Sequence, residues 1–177
     1  MVNIVQDGAE VLRETAVPVP EKFFSSAELA TLIKGMAAAL DKEPEGVALA
    51  APQVGVSWRL FIVRADRTIN SQQPTANKPA PEPKPEVEVY INPEIMKTSR
   101  RRARADEGCL SVRGVYGTTK RHERVTLRAR RADGSRFTRG VGGLVAQIFE
   151  HEIDHLNGIL FTDHTENLIE IRHAATA

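Results

Sequence analysis

Residues 147–158 read QIFEHEIDHLNG, and within them His151, Glu152 and His155 form an H-E-x-x-H. On a helix, residues i and i+4 share one face about a turn apart, so the two imidazoles can ligate a single metal ion. The intervening Glu152 then lies beside that ion and can take a proton from a bound water. A five-residue pattern also arises on ordinary surface helices, so the flanking residues matter. Leu144, Ile148 and Leu156 flank the histidines, and Val145, Phe149 and Ile153 fall on other sides. A helix apolar on most of its sides is a buried one. Buried His and Glu need partners, and a metal ion satisfies all three at once.

Two histidines leave such a site short of protein ligands, because a catalytic site uses three and keeps one position exchangeable. Asp154 points away from the histidine face of the helix. His164 is available, but the chain ends soon after it. Cys109, the sole cysteine, sits in DEGCLSVRG. A lone cysteine is commonly an inert core residue. This one follows Gly108, which permits close backbone approach, and reads as preceding a strand packed over the helix. One thiolate and two imidazoles make a catalytic ligand set.

The elements that position these residues can be read from periodicity. Residues 27–42 place Leu29, Leu32, Ile33, Met36 and Leu40 at helical spacing behind a Ser25 or Ser26 cap. Residues 59–64, RLFIVR, and 87–92, VEVYIN, read as partnered strands. Residues 121–130 alternate Val125, Leu127 and Ala129 with charges, as a half-buried strand does. Asp133-Gly134 marks a hairpin, with Arg136 to Arg139 returning. Gly142-Gly143 opens the metal-binding helix and Asn157-Gly158 closes it. The expected fold is α+β, with mostly antiparallel strands around a central buried helix. Five of the ten prolines fall in residues 74–85. Proline supplies no amide to a ladder or a helix, so residues 67–86 read as one exposed insertion.

Composition narrows the function classes. The 177 residues, 41% hydrophobic and 27% charged, suit a single globular domain spanning 1–177. One cysteine excludes an intrachain disulfide or a four-thiolate zinc site. No apolar run approaches the roughly 20 residues of a membrane span. Met1 to Glu10 carry no secretory or transit pattern, so the cytoplasm is the expected compartment. The net charge of +1 conceals an asymmetry: 14 of the 24 Lys/Arg lie in residues 97–139, with only four of the 23 Asp/Glu. That stretch is either an Arg-rich sheet face paired with acidic helices or a patch that meets an anionic partner. Few aromatics are available to stack bases, which favours the first.

Three segments in order, GVALAAPQ at 46–53, EGCLS at 107–111 and HEIDH at 151–155, resemble the three signature motifs of the peptide deformylases. The likeness runs from about Ile4 to Asp163. It implies a hydrolase that removes the N-terminal formyl group from formyl-methionyl nascent polypeptides by attack of metal-bound hydroxide. Carried across residue by residue, it makes Cys109, His151 and His155 the metal ligands and Glu152 the general acid/base. Gln53 and the backbone N–H of Leu110 would bind the formyl oxygen. Val47, Ala48, Leu144 and Ile148 would line the methionine pocket. The likeness also implies ferrous iron in the cell, with Zn2+, Ni2+ or Co2+ able to replace it. Glu107 and Arg121 fall at acid and base positions and would form a buried pair bracing the cysteine strand.

Three positions depart from the family pattern. Ala48 replaces a glycine, Arg113 stands where proline is common, and Glu150 stands where glutamine is usual. Arg113 would add a charge near the substrate cleft. Two other readings stay open. One is a metallopeptidase or amidase of different specificity. The other is a basic ribosome-docking module with a structural metal, using the 97–139 stretch.

Overall fold

The computed structural model describes residues 2–68 and 87–170. Most of the Pro-rich insertion expected at 67–86 therefore lies outside the described residues. Residues 67 and 68 belong instead to a short helix, α2 (Ala65–Thr68).

Helix α1 (Ala27–Leu40) begins where the Ser26 side chain accepts a hydrogen bond from the Leu29 amide at 3.1 Å. That contact satisfies one of the orphan amides of the first turn. Strand β1 (Ala48–Ala50) pairs with β2 (Leu60–Arg64), and β2 pairs with β3 (Val87–Thr98). The sheet continues through β6 (Arg124–Arg130) and β7 (Arg136–Gly142), in the order β1-β2-β3-β6-β7. A second sheet runs β4-β5-β8, from β4 (Arg102–Cys109), β5 (Val112–His122) and β8 (Asn167–Glu170). Every ladder is antiparallel, as expected.

Helix α3 (Leu144–Leu156) runs between the two sheets. Its Phe149, Ile153 and Leu156 pack with Phe61, Tyr90 and Leu127 of the larger sheet. On that sheet's other face, Leu29, Met36 and Leu40 of α1 meet Leu49, Leu60, Ile62 and Ile91. This explains why β2 is a continuous apolar run. Phe61 and Val63 face α3, Leu60 and Ile62 face α1, and both faces are covered. Each such large side chain contributes about 1.5–3 kcal/mol by leaving water. The glycine that follows the helix, Gly158, has a φ of 73°, and a Cβ there would lie 2.6 Å from the Arg13 carbonyl oxygen.

Several boundaries differ from the sequence reading: α1 stops at Leu40 instead of running to 42, β2 starts at Leu60 instead of 59, and β3 continues past 92 to Thr98. Residues 121–130 are not one strand: Arg121 and His122 end β5 in the smaller sheet, and β6 begins only at Arg124. The Val125, Leu127 and Ala129 alternation belongs to β6 alone, while the Glu123 amide turns to the Arg101 carbonyl. Cys109 precedes a strand, β5, as read, and is itself the last residue of β4, opposite Val112 of β5. The β4–β5 turn residues, Leu110 and Ser111, separate the two.

Candidate metal centre

The register of β4 on β5 and the docking of α3 bring Cys109, His151 and His155 together. Their candidate ligand atoms lie within 4.8 Å of one another, the one such group of three among the described residues. Cys109 Sγ is 3.2 Å from His155 Nε2. His151 Nδ1 is 2.9 Å from Glu107 Oε2, which leaves the other ring nitrogen for a metal. Asp154, one residue from His155, is turned away from this group, as its helical position implies. It accepts a 2.6 Å hydrogen bond from Arg121 Nη1. His164 is 3.6 Å from Asp154 and takes no part in the cluster.

The donor chemistry fits a divalent metal. Two buried polar atoms in the site, Glu152 Oε2 and His155 Nδ1, have no hydrogen-bond partner among the described residues. Burying a carboxylate oxygen without a partner is costly unless a bound group compensates. Burial pushes the Glu152 carboxyl up to about 7, and it pushes the His155 imidazole well below its ordinary range. A thiolate, two imidazoles and a carboxylate poised near neutrality form a set that a soft-to-borderline divalent ion completes.

Glu107 and Arg121 form the buried pair. Arg121 Nε and Nη2 donate to the two Glu107 oxygens at 2.6 and 3.0 Å, and Thr119 Oγ1 donates to Oε1 at 2.6 Å. Burial works against the Glu107 carboxylate, but His151 and Arg121 hold it far below the usual carboxylate range. The same charge, together with Cys109, raises the His151 imidazole well above its ordinary value against the cost of burial. Thr119 and the bridging role of Asp154 were invisible in the sequence. No short-range spacing connects either residue to the motifs.

Gln53 is 2% exposed and doubly fixed. Its Oε1 accepts from the Ala50 amide at 2.8 Å, while Nε2 lies 3.2 Å from Ser111 Oγ and 3.5 Å from Cys109 Sγ. The short helical turn Ala51–Val54 that carries it follows directly from β1. Ser111 within the EGCLS segment was not singled out by sequence, yet it is fully buried and touches both groups.

A cavity of about 880 Å³ opens over the centre. Its wall includes Val47, Ala48, Gln53, Cys109, Leu110, Leu144, Ile148, His151 and Glu152, so nine of the ten sequence-selected site residues meet there. His155 lies beneath them, 1% exposed. Gln147, not selected by sequence, also lines the cavity and donates to the Asp106 carbonyl at 2.8 Å, tying α3 to β4. A Cβ on Gly108 would lie 2.9 Å from the exposed Tyr116 ring, which would have to move aside.

The departures find their places. Ala48 is an ordinary strand residue: among the described non-glycine residues only Ser25 and Asn92 have positive φ, so a methyl here introduces no backbone strain. Glu150 accepts from the His122 amide at 2.7 Å and lies 2.6 Å from its Nδ1, joining α3 to the end of β5. Arg113 pairs with Glu43 at the cavity mouth. The basic stretch is extensively paired too, but the partners are mostly not helical. Arg128 meets Glu94 and Arg139 meets Glu88 on β3, and Lys120 and Arg104 share Glu166. The expectation of acidic helices is corrected accordingly, because strand pairing itself supplies partners: Glu94 of β3 stands directly opposite Arg128 of β6.

A buried carboxylate beside three soft-to-borderline donors, facing a cavity, is equipped to split an amide with a divalent metal. The class is therefore a metal-dependent amide hydrolase. The polypeptide deformylase family pattern matches residues 1–170. A peptide deformylase of Symbiobacterium thermophilum is 39% identical, over 95% of this chain and 68% of that protein. One of Carboxydothermus hydrogenoformans is 35% identical, over 94% and 95%. The structure also superposes on the class I type b peptide deformylase of Acinetobacter baumannii bound to Met-Ala-Ser. That match has a TM-score of 0.78 and 32% identity, over 93% of this chain and 99% of that one. The Thermotoga maritima peptide deformylase superposes with a TM-score of 0.78 and 30% identity, over 94% and 99%. The chain belongs to the peptide deformylase family, and its reaction is removal of a formyl group by metal-dependent hydrolysis.

Proposed function

We propose that Cys109, His151 and His155 hold one divalent ion, and that Glu152 moves the protons as formyl-methionyl nascent chains lose their formyl group. The observation that carries this reading is the unpartnered, fully buried Glu152 oxygen beside the three clustered donors. When bound, the ion supplies Lewis acidity, polarising the formyl oxygen and lowering the pKa of a water from 15.7 toward ~7. A carboxyl that titrates near neutrality both accepts the proton of that water and delivers it to the leaving amine nitrogen. Gln53 Nε2 and the Leu110 N–H receive the charge that develops on the formyl oxygen. The Gln53 amide is already oriented by Ala50, so little reorganisation accompanies the reaction. Val47, Ala48, Leu144 and Ile148 form the wall against which the methionine side chain packs. The Acinetobacter relative binds Met-Ala-Ser, which supports a cleft that accepts at least three residues.

Ferrous iron is the proposed ion in the cell, with Zn2+, Ni2+ or Co2+ as substitutes, since thiolate and imidazole suit all four. The chain is proposed to act as one catalytic domain in the cytoplasm. Among its described residues no helix is long and apolar enough to cross a membrane.

The test is formate release from formyl-Met-Ala-Ser by protein purified without oxygen, with metal counted in the same sample. Glu152→Gln is expected to retain about one metal per chain and to lose ~10²–10⁴-fold in kcat. Full activity in that variant overturns the assignment of Glu152. Cleavage of the unformylated peptide would make the chain a peptidase instead. A transient ribosome contact through 97–139 is a second part of the reading, supported by Arg101 and Arg104, whose side chains are 84% and 73% exposed. Neutralising Arg100–Arg104 should reduce turnover of ribosome-bound chains and leave free peptides unaffected. Equal rates on ribosome-bound chains before and after would remove that contact.

A further inference from the structure

The mouth of the cavity is closed on one side by an ion pair. Arg113 Nη2 is 2.5 Å from Glu43 Oε1 and Nη1 is 3.2 Å from Oε2, a two-point guanidinium–carboxylate pair. Glu43 belongs to the turn after α1 that leads into β1, and Arg113 to the first residues of β5. The pair therefore joins the two walls of the cleft. Among the described residues it is the only ion pair between the Glu43 turn and β5, and both members line the cavity.

Neither wall is free to drift. Arg67 Nη1 holds the Glu43 turn by donating to the carbonyls of Leu40, Glu43 and Gly46. On the other side, Val112 stands opposite Cys109, so Arg113 begins one residue, about 3.3 Å of strand, beyond the centre. Glu43 occupies two of the five guanidinium N–H donors, and the Arg113 side chain is still 57% exposed. Three donors are thus presented at the mouth on a group whose charge is already balanced.

We propose that Arg113, held by Glu43, is a positioning residue for the substrate chain downstream of the methionine, donating to the backbone carbonyl of its third residue. This rests on the reading that places the formyl group at Glu152 and Gln53, so that the peptide leaves through this mouth. A neutralised guanidinium has little preference for side-chain charge but retains its hydrogen-bond geometry. That combination suits an enzyme whose substrates share a formyl-methionine and differ in everything after it.

The proposal predicts a dependence on substrate length. Formate release is compared for formyl-Met-Ala and formyl-Met-Ala-Ser-Ala, using the metal-loaded full chain and its Arg113→Met variant. Loss of one charge-assisted hydrogen bond should lower the kcat/KM ratio of the longer to the shorter substrate by roughly tenfold. Arg113→Lys, which keeps a donor, should recover part of that ratio. Calorimetric binding of the deformylated peptides Met-Ala and Met-Ala-Ser-Ala should show the same length-dependent loss in Kd. An equal effect on both lengths, or none, overturns the proposal. Reversed preference for acidic over basic third residues in the variant would also overturn it, because Arg113 would then be reading side-chain charge. Formate release by the unsubstituted chain tests the underlying assignment separately.

Discussion

Strand β5 carries two arginine–glutamate pairs eight residues apart, and the same chemistry serves two ends of the cleft differently. At the deep end, Arg121 and Glu107 are 8% and 2% exposed and are tied to Thr119, Asp154 and His151. At the mouth, Arg113 and Glu43 are 57% and 21% exposed, and among the described residues their side chains form ion pairs only with each other. In the interior, neither charge can be rescued by water, so each partner is indispensable to the other. At the surface, water screens the attraction and can replace either partner. Burial, not the identity of the pair, decides whether it organises the centre or only shapes an entrance.

Substituting each arginine by methionine should separate the two pairs. Arg121→Met leaves Glu107 and Asp154 without their cation and should cost about 3–5 kcal/mol of unfolding free energy, measured by urea denaturation. The pH dependence has a definite sign. Glu107 has a depressed folded pKa, so its stabilisation is complete above the unfolded carboxylate value of about 4.3 and is lost as pH falls toward the folded value. The difference between the unsubstituted chain and Arg121→Met should therefore narrow on acidification below that value. A gap that widens there would assign the stability to another group.

A milder change sharpens the link between the deep pair and the metal. Glu107→Gln keeps the shape and a hydrogen-bond acceptor for His151 but removes the charge. Metal affinity, measured by competition with a chelator, should fall roughly 10–100-fold. Unchanged affinity would limit Glu107 to holding β4 and β5 together. The smallest effect is expected at the mouth, where Arg113→Met should change stability by only about 0.2–1 kcal/mol. A loss comparable to that of Arg121→Met would show that exposure does not separate the two pairs.

The legible parts of the molecule were those set by local spacing. His151, Glu152 and His155 are four residues apart at most, and helical geometry alone puts them on one face. Ser26, Gly143 and Asn157 bound their helices where the sequence placed them, because capping is a contact between near neighbours. The long run RHERVTLRAR was misread as one strand because alternation does not mark the point where a chain passes from one sheet to another. Cys109 does stand ahead of a strand, β5, but its place at the end of β4 is not legible for a related reason: the Gly108–Cys109 bulge and the two-residue turn are fixed by pairing with β5. Gln147 looked like an ordinary polar residue of α3. Its contact with the Asp106 carbonyl exists only because the helix packs against β4.

Residue types and their spacing specify which groups could do the chemistry: two imidazoles and a carboxylate on one helical face, one thiolate, and a glutamine in a short apolar segment. Residue type and helical periodicity carry that information without knowledge of any partner. Packing of the sheets on α3 sets that the thiolate meets the imidazoles, that Glu107 is shared between His151 and Arg121, and that Arg113 is matched with Glu43. Those contacts join residues from 14 to 70 positions apart. The strengths of the charged contacts depend on how much water the packed sheets and α3 exclude, and no local pattern encodes that.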